Sequence, residues 1–89
     1  MYSSTAQAIA NGHAYIRHGH EFGVSNSSQL AIIIEDIVNN PSESKSLRRG
    51  RTAYWDNSID AVVITDPDHL DRGTIFKPNR GKLYYDNMR

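Results

Sequence analysis

The chain contains no cysteine, which excludes disulfide bonds, thiolate nucleophiles and zinc sites built on cysteine. Folding therefore does not depend on the redox compartment, a property that suits a protein that crosses from one compartment to another. The sequence also has no run approaching the roughly 18 apolar residues of a membrane helix, and its start does not resemble a signal peptide. We therefore expect no membrane insertion by this domain.

A net positive charge, the usual electrostatic signature of a nucleic-acid binder, is also absent, because ten basic and ten acidic side chains cancel. The basic residues nevertheless concentrate in 45–51 and 72–89, with many acidic residues between them, so a local basic surface can still form. The chain has 89 residues, of which 38% are hydrophobic and 22% charged. These values predict a single globular domain over residues 1–89.

A first helix is predicted over residues 4 to about 22, with Ser3 or Ser4 as its cap. Two apolar and two histidine side chains recur in it at spacings of four, three and four, so they would share one stripe. They are Ile9, His13, Ile16 and His20. Because Gly12 and Gly19 each weaken a helix by roughly 1 kcal/mol relative to alanine, we expect a break near Gly12 or an end by Gly19.

A second helix is predicted over residues 26–39. Asn26 can cap it, and Gln29 follows three residues later, as in a capping box. An apolar stripe at helical spacing follows, which consists of Leu30, Ile33, Ile34, Ile37 and Val38. Pro41 ends the helix, because the residue before a proline disfavours the helical region. This helix is interpreted as scaffold packed on a sheet.

Beyond Pro41 the hydrophobic pattern changes from helical to extended. Residues 45–47 are a candidate short strand, and further strands are predicted at 51–56, 61–65, 74–77 and 82–86. Short connections between consecutive strands favour antiparallel pairing. The predicted fold class is α+β, with two N-terminal helices packed on one face of a four-stranded antiparallel β-meander.

Three of the four histidines lie within residues 13–20. An imidazole exchanges protons near neutral pH, which suits RNA cleavage by 2′-hydroxyl attack, where a base, an acid and donors to the phosphate are needed. His13 and His18 are the candidates for proton transfer. They are five residues apart, roughly 140° around a regular helix, so only a broken helix would bring both to one small pocket. The alternative is that His13 or His20 is a structural histidine on the apolar stripe.

A metal site is another possible use of this histidine cluster. His13, His18, His20 and Glu21 are metal-ligand types, but their spacing does not match a zinc helix, which places two histidines four residues apart. No metal and no cofactor is therefore expected. His69 lies in an acidic loop and is interpreted as a solvated side chain.

A second group of candidates lies toward the C-terminus. Thr74 offers a hydroxyl and Lys77 a compact cation, and both suit a phosphate, although each also fits an ordinary strand residue. Strict alternation places the two on opposite faces of the sheet, so Lys77 would have to lie at a bulge or past the strand end. Arginines and aromatic side chains that could bind phosphate and stack on bases complete the set. They are Arg48 and Arg51, with Arg49 as an alternative, and Tyr54 and Tyr85.

Taken in order, several short motifs resemble the C-terminal toxin domains of bacterial polymorphic toxins. The motifs are Gly12-His13-Ala14-Tyr15, His18, Glu21-Phe22, Gly50-Arg51-Thr52-Ala53-Tyr54-Trp55, Val62-Val63-Ile64, Gly73-Thr74-Ile75-Phe76-Lys77-Pro78 and Gly81-Lys82-Leu83-Tyr84-Tyr85. The pattern is similar to contact-dependent growth inhibition effectors of the CdiA type, and so to the barnase/colicin D superfamily of small RNases. The resemblance covers nearly the whole chain and lies in the order and spacing of the motifs.

The resemblance implies a metal-independent endoribonuclease, often a tRNase, that leaves a 2′,3′-cyclic phosphate. Such a domain forms the end of a larger secreted or cell-surface protein, acts in the cytoplasm of a target cell and is blocked by a cognate immunity protein. By position, it implies proton transfer by His13 and His18 and phosphate binding by Thr74 and Lys77. The neutral net charge departs from the basic nucleases of this class. It indicates either a narrow positive cleft or a helper for RNA binding, such as a host activating factor. A non-catalytic protein-binding module and a metal-dependent nuclease are the alternatives.

Overall fold

Two helical segments precede a four-stranded sheet in the computed structural model, which describes residues 4–89. The first segment comprises α1 (Ser4–Ile9), a wide π-type turn (Ala10–Ala14), α2 (Tyr15–His18) and a 3-10 turn (Gly19–Phe22). It is followed by α3 (Ser27–Asn39), β1 (Glu43–Ser46), β2 (Thr52–Asp56), β3 (Ala61–Thr65), β4 (Gly73–Phe76) and α4 (Lys82–Asp86). The predicted cap at Ser3 lies outside the described residues, as does the side chain of Ser4.

The helix α3 forms as its sequence predicts. The side chain of Asn26 accepts a hydrogen bond of 2.9 Å from the backbone N–H of Gln29, so the predicted cap is confirmed. Leu30, Ile34 and Ile37 are buried against the sheet, while the partly exposed Ile33 packs at the edge of the same core. One apolar face of a single regular helix therefore closes most of one side of the domain.

The first helical segment breaks at Gly12, where φ is −82° and ψ is −147°. The predicted break is confirmed, but the predicted stripe is wrong beyond it. Ile9 is fully buried, whereas Ile16 is 78% exposed, because the break rotates the following turn about the helix axis. Ala14 becomes the buried residue of that turn instead. His13 and His20 are both exposed, so neither is a core histidine.

The sheet is an antiparallel meander in the order β1-β2-β3-β4. Its register aligns Tyr54, Val63 and Ile75 in one row on the face that packs against α1 and α3. The neighbouring row, Trp55, Val62 and Phe76, points to the opposite face. The α+β class with two helices on a four-stranded meander is thus confirmed.

The prediction of a strand over residues 82–86 is wrong, because Lys82–Asp86 forms the short helix α4. Lys82 Nζ lies 3.0 Å from Asp86 Oδ1, a pairing four residues apart that a helical turn allows. The turn also buries Tyr85 against Trp55 while it leaves Tyr84 outside. The fourth strand of the meander is instead the candidate segment near residues 45–47, observed as β1.

The position of α4 also corrects the expectation that helices cover one face only. Tyr85 joins Leu47, Ala53, Trp55 and Val62 in a second, smaller core on the face opposite α3. The indole N–H of the single tryptophan donates to the side-chain oxygen of Asn57 at 2.6 Å, so its polar atom is satisfied in this core. Within residues 4–89, none of the helices has the length and apolar character needed to cross a membrane.

Gly73 is the position of β4 where a side chain is least tolerated. Its φ is +138°, and a Cβ atom built there would lie 1.9 Å from the carbonyl oxygen of Ile64. We expect Gly73→Ala to lower the free energy of unfolding by about 3 kcal/mol or more, because both the backbone angle and the β3–β4 ladder are disturbed. The measurement is urea denaturation followed by tryptophan fluorescence.

Gly50→Ala is the matched control, since Gly50 has a φ of +73° but an added Cβ atom would meet no heavy atom within 4 Å. Only the cost of the left-handed conformation applies there, about 1 kcal/mol. Equal losses for the two variants would contradict the close packing of β3 against Gly73.

Candidate active site

A cleft of about 510 Å³ lies between the first helical segment, the loop at residues 66–72 and the sheet face that carries Ile64, Thr74 and Phe76. Its polar lining includes His13, Arg17, His18, Arg51, His69 and Thr74. The structure therefore brings together both candidate histidines, Thr74 and one of the candidate arginines. The break at Gly12 precedes both histidines, so it turns the segment that carries them relative to α1 and leaves their spacing along the helix unchanged. Both side chains nevertheless line the cleft, which is large enough to reach from one to the other.

His13 is paired with a carboxylate from the loop that follows β3. Its Nδ1 lies 2.5 Å from Asp71 Oδ2, and its backbone N–H donates to the same oxygen at 3.4 Å. The hydrogen bond from His13 lowers the pKa of the Asp71 carboxyl below its ordinary value. A carboxylate can only accept hydrogen bonds, so the shared hydrogen is carried by Nδ1. The lone pair of Nε2 is then the free basic position of the ring.

His18 has an equivalent partner on the other side of the cleft. Its Nδ1 lies 2.5 Å from Glu21 Oε2, and Glu21 Oε1 accepts from the backbone N–H of Lys77 at 2.8 Å. Burial raises the pKa of Glu21, but the hydrogen bonds from Lys77 and His18 outweigh it, so the pKa of this carboxyl is lowered. Glu21 thus joins the helical segment to the end of β4 and fixes the orientation of the His18 ring.

The two pairs have the same chemical form. In each, a carboxylate holds Nδ1 of an imidazole and leaves Nε2 for a substrate, the arrangement that orients the catalytic base in many hydrolases. The side chain of His13 is 66% exposed and that of His18 is 30% exposed. Two proton-transfer groups of this kind on one cleft can serve as a base and an acid in a single reaction.

His69 also lines the cleft, although its acidic loop favoured a solvated side chain. Its Nδ1 accepts a hydrogen bond of 3.0 Å from the backbone N–H of Asp71, so in the neutral ring the hydrogen is on Nε2. In its neutral form, His69 can therefore donate a hydrogen bond from Nε2. The Nε2 atoms of neutral His13 and His18 can accept one. No spacing in the sequence indicated His69, because the loop from Asp66 to Arg72 is joined to the helical segment by a tertiary contact, that of Asp71 with His13.

The arginines contribute unequally to the cleft. Arg51 and Arg17 line it, and Arg51 is held by hydrogen bonds from its guanidinium to the carbonyl oxygens of Arg48 (3.1 Å) and Arg89 (3.4 Å). Arg48 is exposed and is not part of the lining. Asp66 and Asp71 balance the two arginines. The cleft is therefore not uniformly basic.

Lys77 is separated from the cleft. Its Nζ lies 5.3 Å from the centre of the Phe22 ring, and its side chain borders two other hollows of the surface. The alternation of strand residues that placed Thr74 and Lys77 on opposite faces explains this arrangement. Lys77 contributes its backbone N–H to Glu21 rather than its cation to the cleft.

The two candidate tyrosines are also outside the cleft. Tyr54 is half-buried on the helix-packed face of the sheet, opposite Thr74. The ring of Tyr85 is only 2% exposed, packs on Trp55 with ring centres 5.9 Å apart, and has a pKa raised by burial. Tyr85 is therefore a core residue of the second face.

Comparison of the chain with protein-family models and with curated proteins found no match. The chemistry of the cleft is therefore argued from its own side chains. Among residues 4–89, no cluster of three or more histidine, aspartate or glutamate side chains is arranged to hold a metal ion. The groups that the cleft offers are imidazoles paired with carboxylates, guanidinium groups and a hydroxyl.

The pairing of Asp71 with His13 can be tested by titration. We expect His13→Ala to raise the pKa of Asp71 toward the ordinary value of about 3.9, because the hydrogen bond from His13 is the main cause of its lowering. The measurement is an NMR titration of the Asp71 side-chain carboxyl. His69→Ala is the control: its charge has the smallest effect among the causes, so the pKa should stay lowered.

The same shift predicts the direction of a stability change with pH. Because the pKa of Asp71 is lower in the folded than in the unfolded chain, its carboxylate favours folding above the unfolded pKa. That contribution is lost as the pH falls through the folded pKa. A pKa of Asp71 that is unchanged in His13→Ala would contradict the pairing.

Proposed function

We propose that this domain is a metal-independent endoribonuclease that cleaves RNA by transesterification and leaves a 2′,3′-cyclic phosphate. The observation that carries the proposal is the pair of histidines on one cleft, each with Nδ1 held 2.5 Å from a carboxylate oxygen. Thr74 and Arg51 on the same cleft supply a hydroxyl and a cation for the phosphate. The cleft thus contains the proton-transfer groups and the phosphate donors that this reaction needs.

In the proposed reaction, one imidazole accepts a proton and the other donates one. Nε2 of one neutral histidine takes the proton of the ribose 2′-hydroxyl as that oxygen forms a bond to phosphorus. The other histidine, protonated at Nε2, gives its proton to the 5′-oxygen as the bond between phosphorus and that oxygen breaks. Asp71 and Glu21 hold the two rings through Nδ1 in both protonation states. The roles of His13 and His18 follow from the direction in which RNA binds.

The developing charge on the phosphorane needs donors that are in place before the reaction. Thr74 offers its hydroxyl, and Arg17 and Arg51 offer guanidinium groups that can bind two phosphate oxygens at once. His69 adds an N–H donor in its neutral form. With one imidazole in the protonated form that the reaction requires, the side chains of the cleft carry a net positive charge that the domain as a whole lacks.

The order of the sequence motifs supports a biological setting for this chemistry. We propose that the domain is a toxin of the CdiA type, carried at the end of a larger secreted or cell-surface protein and active in the cytoplasm of a target cell. Its proposed substrate is tRNA, and its proposed partner is a cognate immunity protein that blocks the cleft. A host activating factor would compensate for the weak overall attraction between a neutral domain and RNA.

The first test is cleavage by the purified domain. Incubation with total tRNA in EDTA should give discrete fragments that end in a 2′,3′-cyclic phosphate, identified because these ends resist phosphatase until acid opens the ring. Plasmid DNA, which lacks the 2′-hydroxyl, should stay intact in the same buffer. Intact RNA in the presence of target-cell lysate would overturn the proposal in favour of a protein-binding module. Cleavage that EDTA abolishes would favour a metal-dependent nuclease.

The histidines can be tested individually. We expect His13→Ala and His18→Ala each to lower the cleavage rate by about 10²- to 10⁴-fold, the usual contribution of a general acid or base. Asp71→Asn and Glu21→Gln should have smaller effects, because they disturb the orientation of a ring without removing it. His20→Ala is the matched control, since His20 is exposed in the same segment and does not line the cleft. Equal activity of His13→Ala and His20→Ala would contradict the assignment of His13 as a proton-transfer group.

Thr74 and Lys77 provide a second variant and its matched control. The sequence predicted that both bind phosphate, but only Thr74 lines the cleft. We expect Thr74→Val to lower the cleavage rate at saturating RNA by about 10- to 100-fold, since one donor to the phosphate is removed. Lys77→Ala should change that rate little, because its cation lies over the Phe22 ring. A larger effect at Lys77 than at Thr74 would show that phosphate binds outside the cleft. Single-turnover kinetics with a short labelled RNA provide the measurement.

A further inference from the structure

A second hollow adjoins the cleft and shares His18 and Phe76 with it. Its volume is about 460 Å³, and its other walls include Lys77, Asn79, Arg80 and Tyr84. The proposed proton transfers and phosphate contacts do not use these four side chains. Because the two hollows share a wall, one extended ligand can occupy both.

Aromatic rings form the boundary between the two hollows. The rings of His18 and Phe76 have centres 5.7 Å apart and are tilted by 37°. Tyr84 contacts Phe76 edge to face, with centres 5.5 Å apart. Tyr84 is nevertheless 43% exposed, whereas the next residue, Tyr85, is buried. An exposed aromatic ring that is held by a second ring is a rigid surface for stacking.

The rim of the hollow carries polar groups that suit a nucleotide. The backbone N–H of Gly81 donates to the carbonyl oxygen of Pro78 at 3.0 Å, and this turn presents Asn79 and Arg80 at its tip. Within residues 4–89, neither of these two side chains is engaged in a hydrogen bond or an ion pair. An amide offers both a donor and an acceptor to a base edge, and a guanidinium group binds phosphate.

The single acidic group of the hollow does not oppose the binding of a nucleotide. Both oxygens of Glu21 already accept hydrogen bonds, from the Lys77 backbone and from His18. Lys77 and Arg80 also line the hollow, so its lining has two basic side chains and one acidic one. The hollow therefore combines an aromatic surface, a free amide and an excess of positive charge.

We infer that this hollow binds one unpaired RNA base next to the scissile phosphate, stacked on the ring of Tyr84. The inference rests on the proposed ribonuclease function and defines its substrate class as RNA that is single-stranded at the cleavage point. A base within a duplex has both faces covered by its neighbours, so its stacking on Tyr84 would require unpairing. Cleavage would then fall in the loops of a folded RNA rather than in its stems.

The test measures binding without cleavage. The probe is a fluorescein-labelled single-stranded RNA of four nucleotides with 2′-O-methyl groups throughout, which removes the attacking hydroxyl. Fluorescence anisotropy should show that Tyr84→Leu, which keeps an apolar side chain but removes the aromatic ring, weakens binding about ten-fold, in line with the loss of one stacked base. Tyr84→Trp should bind at least as tightly as the wild type. Leu83→Ala, an exposed neighbour on α4, is the control and should leave the dissociation constant unchanged.

NMR spectroscopy shows where on the domain the oligonucleotide binds. Addition of the same oligonucleotide should shift the aromatic signals of Phe76 and Tyr84 and the side-chain amide of Asn79, while a fully paired RNA hairpin should not. Equal affinities of the wild type and Tyr84→Leu would overturn the inference, as would an absence of shifts at Tyr84. Failure of the ribonuclease proposal is distinct, because it would show as intact natural RNA while Tyr84-dependent binding of the probe persists.

Discussion

The candidate site depends on the close approach of the Asp71 side chain to the backbone at Gly12. A Cβ atom at this position would lie 2.8 Å from the carboxyl carbon of Asp71, so a larger residue at position 12 would displace the Asp71 side chain. The same residue breaks the helix, which sets the direction of His13 and of the following turn relative to α1. One missing side chain thus accounts for both the position of His13 and the position of its carboxylate partner.

Glu21 makes the corresponding connection on the other side of the cleft. Its two oxygens join His18 to the backbone at the end of β4, so the orientation of one imidazole is set by the edge of the sheet. The site therefore rests on two carboxylates that connect helical and β elements. A domain of 89 residues has only a modest core. The two carboxylates explain how it holds two histidines in fixed orientations, although its described residues include no disulfide and no cluster arranged to bind a metal ion.

The fold was largely predictable because its main elements have clear periodicity. The stripe of α3 and the apolar run of β3 each allow one interpretation, and both are observed. Residues 82–86 were ambiguous, because Leu83, Tyr84 and Tyr85 are consecutive and fit either a strand or one helical turn. The burial of Tyr85 against Trp55 favours the helical turn over the strand. This contact joins residues far apart in the chain, so a local sequence pattern cannot reveal it.

The site was predictable only in part, for the same reason. His13 and His18 stand out as a cluster in the sequence, but Asp71 and His69 lie in a loop whose distance from them is set by the fold. Lys77 and Thr74 both suited a phosphate by residue type, and the strand alternation that the sequence already indicated leaves only Thr74 on the cleft. Residue type indicates which chemistry is available, whereas tertiary packing determines which side chains take part in it.

The partners His13 and Asp71 are 58 residues apart, and neither the helical half nor the β half of the chain contains a complete set of the cleft's polar groups. Any process that threads this polypeptide through a narrow channel in extended form would dismantle the cleft during passage. Reassembly on the far side would require no oxidant, because the chain has no cysteine to pair. Loss of the cleft during such a passage and its recovery afterwards would then both follow from the fold itself.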